Sequence, residues 1–128
     1  IPDQELHKLF NEVMEKTKHH NKKVLTFCIA YDGRDEITQA VKEITRQYGG
    51  DGVKIDEATV KKYLFTKELP PVDLIIRTGG DKRLSGFLLW DIAYAELYFT
   101  DTLFPDSVPE TFEAALKEYE KRNRRFGR

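Results

Sequence analysis

Residues 73–106 read DLIIRTGGDKRLSGFLLWDIAYAELYFTDTLFPD. Together with Val72, the opening Asp73-Leu74-Ile75-Ile76 reads as a short strand buried on both faces, and Pro70-Pro71 bars any helix from running into it. The polar loop RTGGDKRLS follows directly at 77–85, and Phe87-Leu88-Leu89-Trp90 comes after it. Glu96-Leu97-Tyr98-Phe99 is a further candidate strand, and Pro105 punctuates its exit.

Moving outward, VLTFCIAY at 24–31 is a nearly continuous apolar run of β-formers, expected as another strand buried on both faces. Asp32-Gly33 makes a turn. Ile37, Ala40, Val41, Ile44 and Tyr48 then recur at helical spacing, and Gly49-Gly50 is a credible stop. Asp56 can cap a short helix holding Val60, Tyr63 and Leu64. At the start, Leu6, Leu9, Phe10, Val13 and Met14 form the stripe of an amphipathic helix; at the end, Pro109 can open a helix with Phe112, Ala115, Leu116 and Tyr119 inward. Strands alternating with helices predict an α/β fold, a mostly parallel sheet flanked by helices. In such a sheet the loops leaving the strand C-terminal ends share one edge, where ligands bind. The segments Tyr31-Asp32-Gly33-Arg34 and Arg77-Thr78-Gly79-Gly80 are expected on that edge.

Composition narrows the function classes. The 128 residues suit one domain, and 40% hydrophobic content supplies material for a core. Cys28 is the single cysteine, which excludes an internal disulfide framework and a multi-cysteine metal site; within its apolar run it reads as inert core. No apolar stretch approaches the roughly 20 residues needed to span a bilayer, so no transmembrane segment is expected. A formal net charge of -1 argues against a nucleic-acid partner. That sum hides a basic end: residues 117–128 hold six Lys+Arg against two Glu. His19-His20 invites a metal reading, but sequence neighbours do not face each other on a helix, so a solvated helix end fits better.

The chemistry concentrates in the loop. Arg77 and Arg83 flank Gly79-Gly80, and a guanidinium is a rigid fork of donors that matches phosphate oxygens. Glycines let backbone N–H groups approach a ligand, and a helix starting at Ser85 would add its free N–H groups. The residues therefore read as a phosphate or diphosphate pocket. The plainer alternative is an ordinary Gly-Gly turn with decorative arginines and a Ser85 helix cap. The standard nucleotide-binding pattern Gly-x-x-x-x-Gly-Lys is absent. Glu96 could place a Mg2+ beside such a pocket, since Mg2+ binds through one or two carboxylates plus substrate phosphate; on spacing alone Asp91 and Asp101 are equal candidates.

The stretch at 73–106 resembles the C-terminal signature of the cis-prenyltransferases, the undecaprenyl and polyprenyl diphosphate synthases. The family pattern there runs Arg-(Ser/Thr)-Gly-Gly-Glu-x-Arg-x-Ser-Asn-Phe-Leu-x-Trp-Gln, then a Tyr-x-Glu-Leu-Tyr-Phe run and a Pro. Residues 30–37, AYDGRDEI, are similar to its Tyr-Gly-Gly-Arg-x-Glu-Ile element, and Arg125-Phe126-Gly127 is similar to its Arg-x-Gly ending. The resemblance covers nearly the whole chain. It implies an enzyme of isoprenoid biosynthesis that condenses isopentenyl diphosphate with an allylic diphosphate, using Mg2+, to make a polyprenyl diphosphate. It implies that Arg77, Arg83 and Ser85 hold the isopentenyl diphosphate as the catalytic set, with Gly79 and Gly80 in the same loop. It assigns Glu96 to the metal. It also implies a homodimer in which Arg125 and Gly127 reach towards the partner's active site.

Asp81, Gly86 and Asp91 stand where the pattern has Glu, Asn and Gln, and Asp32 replaces the first Gly of Tyr-Gly-Gly-Arg. The family's Asp-Gly-Asn-x-Arg-Trp and Phe-Ser-x-Glu-Asn-Trp elements have no counterpart here, and Trp90 is the only tryptophan. Residues 1–128 are therefore expected to be the C-terminal portion of a single cis-prenyltransferase domain. That portion carries the isopentenyl diphosphate site and half of the Mg2+ site, is inactive alone, and needs the missing N-terminal portion. The expected location is cytoplasmic, with peripheral membrane contact only through the lipid product. Two competing readings are a non-catalytic partner subunit of a heteromeric prenyltransferase and an unrelated phosphate-binding hydrolase.

Overall fold

The structure is a computed structural model that describes residues 4–49 and 54–122. Its elements are α1 (Gln4–Thr17), α2 (Gly33–Tyr48), α3 (Glu57–Lys61), β1 (Leu74–Arg77), β2 (Glu96–Phe99), a 3-10 turn at Phe104–Asp106, and α4 (Pro109–Lys121). β1 and β2 pair in parallel, with Leu74 opposite Glu96 and Arg77 opposite Phe99. The α/β class and the parallel sheet are as the sequence predicts. No described helix is long and apolar enough to cross a membrane.

The chain divides into two compact units, Ile1–Tyr31 and Asp32–Arg128. In the first, α1 forms where its stripe predicts, yet none of its residues is buried. Residues 24–31 are not a strand: they run irregularly after a bend, and Val24 and Leu25 are 82% and 79% exposed. The expectation of a doubly buried strand fails here: the described sheet consists of β1 and β2, and Val24, Leu25 and Phe27 lie open. β1 and β2 are likewise half-buried at every position rather than covered on both faces.

The second unit holds the core: Ala40, Ile44, Leu64, Leu88, Ile92 and Ala115. α2 begins at Asp32, whose Oδ1 accepts from the N–H groups of Arg34 and Asp35 at 2.8 and 3.1 Å. It ends where Gly49 turns left-handed at φ 62° and donates its N–H to Thr45 O. Its buried face differs from the apolar stripe: Glu36, Ala40 and Ile44 are inside, while Val41 and Tyr48 are exposed. A buried glutamate needs donors, and Glu36 Oε1 accepts the Thr66 N–H at 3.0 Å.

That contact opens a polar network. Thr66 Oγ1 donates to Asp91 Oδ2 at 2.5 Å, Lys61 Nζ donates to Thr66 O at 2.7 Å, and Lys61 forms an ion pair with Asp91. It ties α2, α3 and the residues before β2 together around a common set of buried polar atoms. In α4 the expected inward face is only partly inward: Ala115 is buried, while Phe112 and Leu116 are exposed.

Candidate functional site

Parallel pairing fixes where the loop begins. Arg77 ends β1, and the ladder continues past it as the Thr100 N–H donates to Arg77 O at 3.0 Å. The chain then reverses through Gly79 and Gly80, at φ 91° and 81°, a region glycine enters without steric cost. Their amides are already engaged: Gly79 N–H donates to Thr102 O at 2.8 Å and Gly80 N–H to Thr100 O at 3.0 Å. The expected cradle of glycine amides is thus replaced by side chains, because the amides hold the loop onto the exit of β2.

Those side chains converge. Arg77 donates through Nη1 to Ser85 Oγ at 3.1 Å and to the Arg83 carbonyl, and through Nη2 to Asp81 Oδ2 at 3.0 Å. Arg83 donates through Nη2 to the same Asp81 oxygen at 2.5 Å. So the three residues expected to hold an anion do meet, and a carboxylate sits between the two guanidinium groups. Sequence reading did not single out Asp81 as a contact; its place between two arginines was the available signal.

The predicted helix start behind Ser85 is absent. Residues 85–94 form successive turns, because Ser85, Gly86 and Leu88 all adopt positive φ, at 50°, 79° and 45°. Left-handed non-glycine residues carry a steric cost and persist only where the surroundings impose them. One constraint is visible. Gly33 donates its N–H to Gly86 O at 2.8 Å, so the start of α2 is seated on the end of the loop. A Cβ on Gly86 would lie 3.1 Å from Asp32 Oδ2, so the two departures at 32 and 86 face each other.

Glu96 lies elsewhere. It starts β2 opposite Leu74, three positions from the Arg77–Phe99 pair. That separation is about 10 Å along the strand, and alternation puts Glu96 and Arg77 on opposite faces. Arg122 Nη1 donates to Glu96 Oε2 at 3.0 Å and to Leu97 O at 2.9 Å, and a further ion pair joins Arg122 to Glu118. Glu118 and then Glu96 raise the Arg122 pKa above its ordinary value by hydrogen bonding. Among the described residues there is no group of three His, Cys, Asp or Glu able to hold a metal ion. Within one chain, the loop and Glu96 do not fit a shared Mg2+. Asp91 belongs to the buried network, and Asp101 Oδ1 lies beside Gly80. Arg125 and Gly127 fall outside the described residues.

The fold and site together define a parallel α/β domain with an arginine-lined loop at the end of its first strand. The chain belongs to the Prenyltransf family, whose model carries the description "Putative undecaprenyl diphosphate synthase" and matches residues 2–127. It is 45% identical over 128 residues to an isoprenyl transferase of Zymomonas mobilis, covering 98% of this chain and 52% of that protein. It is 43% identical over 126 residues to a tritrans,polycis-undecaprenyl-diphosphate synthase (geranylgeranyl-diphosphate specific) of Sulfurisphaera tokodaii, covering 96% and 48%. The crystal structure of lavandulyl diphosphate synthase from Lavandula x intermedia, in complex with dimethylallyl diphosphate, superposes with a TM-score of 0.90. Its identity is 31%, covering 98% of this chain and 56% of that one. The chain spans about half the length of the curated relatives it matches.

Proposed function

We propose that this chain supplies the isopentenyl diphosphate half of a cis-prenyltransferase, which condenses that substrate with an allylic diphosphate into a polyprenyl diphosphate. The observation that carries the reading is the convergence of Arg77, Arg83 and Ser85 at the end of β1. Two guanidinium forks and a hydroxyl suit a diphosphate better than a single phosphate, because the arginines can each take one phosphoryl group. The nucleophile is a carbon–carbon double bond, which needs placement more than activation. A rigid anchor on the diphosphate, with the isopentenyl tail free to meet the allylic carbon, provides that placement. Gly79, Gly80 and the seating of Gly33 on Gly86 keep the anchor in shape.

The active form is a homodimer that includes the N-terminal portion. The whole enzyme would use Mg2+ as its cofactor, which when bound would offset charge on the diphosphates. Glu96 belongs to that metal only where a second protomer brings it to a loop and Arg122 lets go, since its own loop is out of reach. Arg125 and Gly127 are assigned to the dimer contact. The exposed apolar residues 24–31 are the surface that the N-terminal portion covers.

The test is Mg2+-dependent incorporation of isopentenyl diphosphate. The chain alone should show none, and activity should appear when the N-terminal portion is added as a separate polypeptide. Robust turnover by the isolated chain would overturn its dependence on that portion. In the complemented enzyme, Arg77→Ala should lower kcat/KM by roughly a hundredfold, mostly through KM, as expected for loss of a charge-assisted clamp. Unchanged KM and kcat would refute the anchor role.

A further inference from the structure

We infer that Asp81 is a built-in occupant of the anion seat, so that the loop rests closed and binds its substrate by exchanging one anion for another. This rests on the diphosphate reading of Arg77, Arg83 and Ser85. The geometry is specific. A single oxygen, Asp81 Oδ2, takes one donor from each arginine, at 3.0 and 2.5 Å. The same Arg77 that binds this oxygen also donates to Ser85 Oγ. Both arginines assigned to the incoming phosphates are therefore already paired with a carboxylate belonging to the loop itself, and Ser85 joins them through Arg77.

An anion that takes the two N–H donors now on Asp81 must displace that carboxylate, since two anions cannot share the same donors. The exchange is easy to run. Arg83 is 65% exposed and Asp81 42% exposed, and ion pairs at such exposure are weak. A ligand's apparent affinity falls by the fraction of molecules whose seat is open. Asp81 thus lowers the affinity of the loop for any competing anion by the same factor. It also keeps two arginines paired when no substrate is present. Asp81 stands where the family pattern has Glu, a side chain one methylene longer, so the reach of the internal anion differs in this chain.

The experiment is calorimetric titration of the full chain with inorganic diphosphate and, separately, with inorganic phosphate, for wild type, Asp81→Asn, Asp81→Ala and Arg77→Ala. Both Asp81 variants should bind diphosphate roughly three- to tenfold more tightly, the range set by loss of weak surface pairs. Phosphate affinity should rise by a similar factor, because the change is an emptied seat and not a new contact. Unchanged or weaker diphosphate binding in both variants, with wild type binding and Arg77→Ala not, overturns the inference alone. Tightening for diphosphate without any for phosphate also overturns it, since that marks a field acting on ligand charge. If diphosphate binds no variant, or binds Arg77→Ala as well as wild type, the diphosphate reading itself falls and the inference with it.

Discussion

Residues 24–31 and residues 79–88 both lack regular secondary structure, and for opposite reasons. The first is apolar and largely uncovered, and Phe27 is 66% exposed. The second is polar and held at many points: glycine amides on Thr100 and Thr102, arginines on Asp81 and Ser85, and Gly86 under Gly33. An apolar segment gains its conformation from neighbours that bury it, whereas a polar loop can be specified by its own directional bonds. The arginine loop is thus held by its own bonds, whereas the apolar run depends on what covers it.

The contrast predicts where substitutions hurt the chain. The largest effect should come from Asp91→Ala. The Asp91 side chain is 4% exposed, and its loss removes the acceptor of Thr66 Oγ1 and the anionic partner of Lys61. Breaking such a buried pair costs about 3 kcal/mol, read as a lower denaturation midpoint at constant slope. A loss near zero would mean that the network does not hold the segment before β2. Next comes Gly33→Ala, whose Cβ would lie 2.6 Å from the Gly86 carbonyl oxygen. Overpacking against backbone costs about 2 kcal/mol, and the anion loop should loosen with it. A variant as stable as wild type, with unchanged diphosphate binding, would separate α2 from the loop.

Asp56→Ala should do less. The Asp56 carboxylate accepts from Thr59 N at 2.9 Å and Thr59 Oγ1 at 2.8 Å, and these bonds hold its pKa below the ordinary 3.8. A lowered folded pKa stabilises the charged form. The cap therefore contributes fully above that ordinary value and is lost as the pH falls through the lower folded one. Wild type and Asp56→Ala should accordingly differ in midpoint at neutral pH and converge in strong acid. The smallest effect should come from Phe27→Ser, within about 0.5 kcal/mol in this chain, as for other exposed positions. The same substitution should markedly weaken complementation by the N-terminal portion, which sharpens the contrast: the residue matters only once something covers it.

Part of this was legible from residues alone. Asp56 was readable as a cap because a cap is a local bond between near neighbours, while Asp32, read as a turn residue, proves to cap α2 as well. β1, β2 and the arginine loop between them followed from short apolar runs around a polar turn. The gathering of Arg77, Arg83 and Ser85 was expected from their closeness in sequence. Failures came where the outcome depended on distant partners. The run 24–31 has a strand's composition, but composition cannot state whether a neighbouring strand is present. The α2 stripe pointed to Val41 and Tyr48, yet Glu36 went inside because Thr66, thirty residues later, offered an N–H.

What the sequence by itself determined is the local chemistry: an α/β alternation, two short strands, a capped helix, and an arginine-rich loop between the strands. What only the tertiary structure decided is who holds whom. Strand register sends Glu96 to the far end and opposite face from Arg77, into the grip of Arg122. Left-handed turns replace the helix expected after Ser85, and Asp81 comes to rest between the two arginines. The physical reason is common to all three. Residue types set which bonds a side chain can form, but register and backbone handedness set which partner lies within the few ångströms that a hydrogen bond requires.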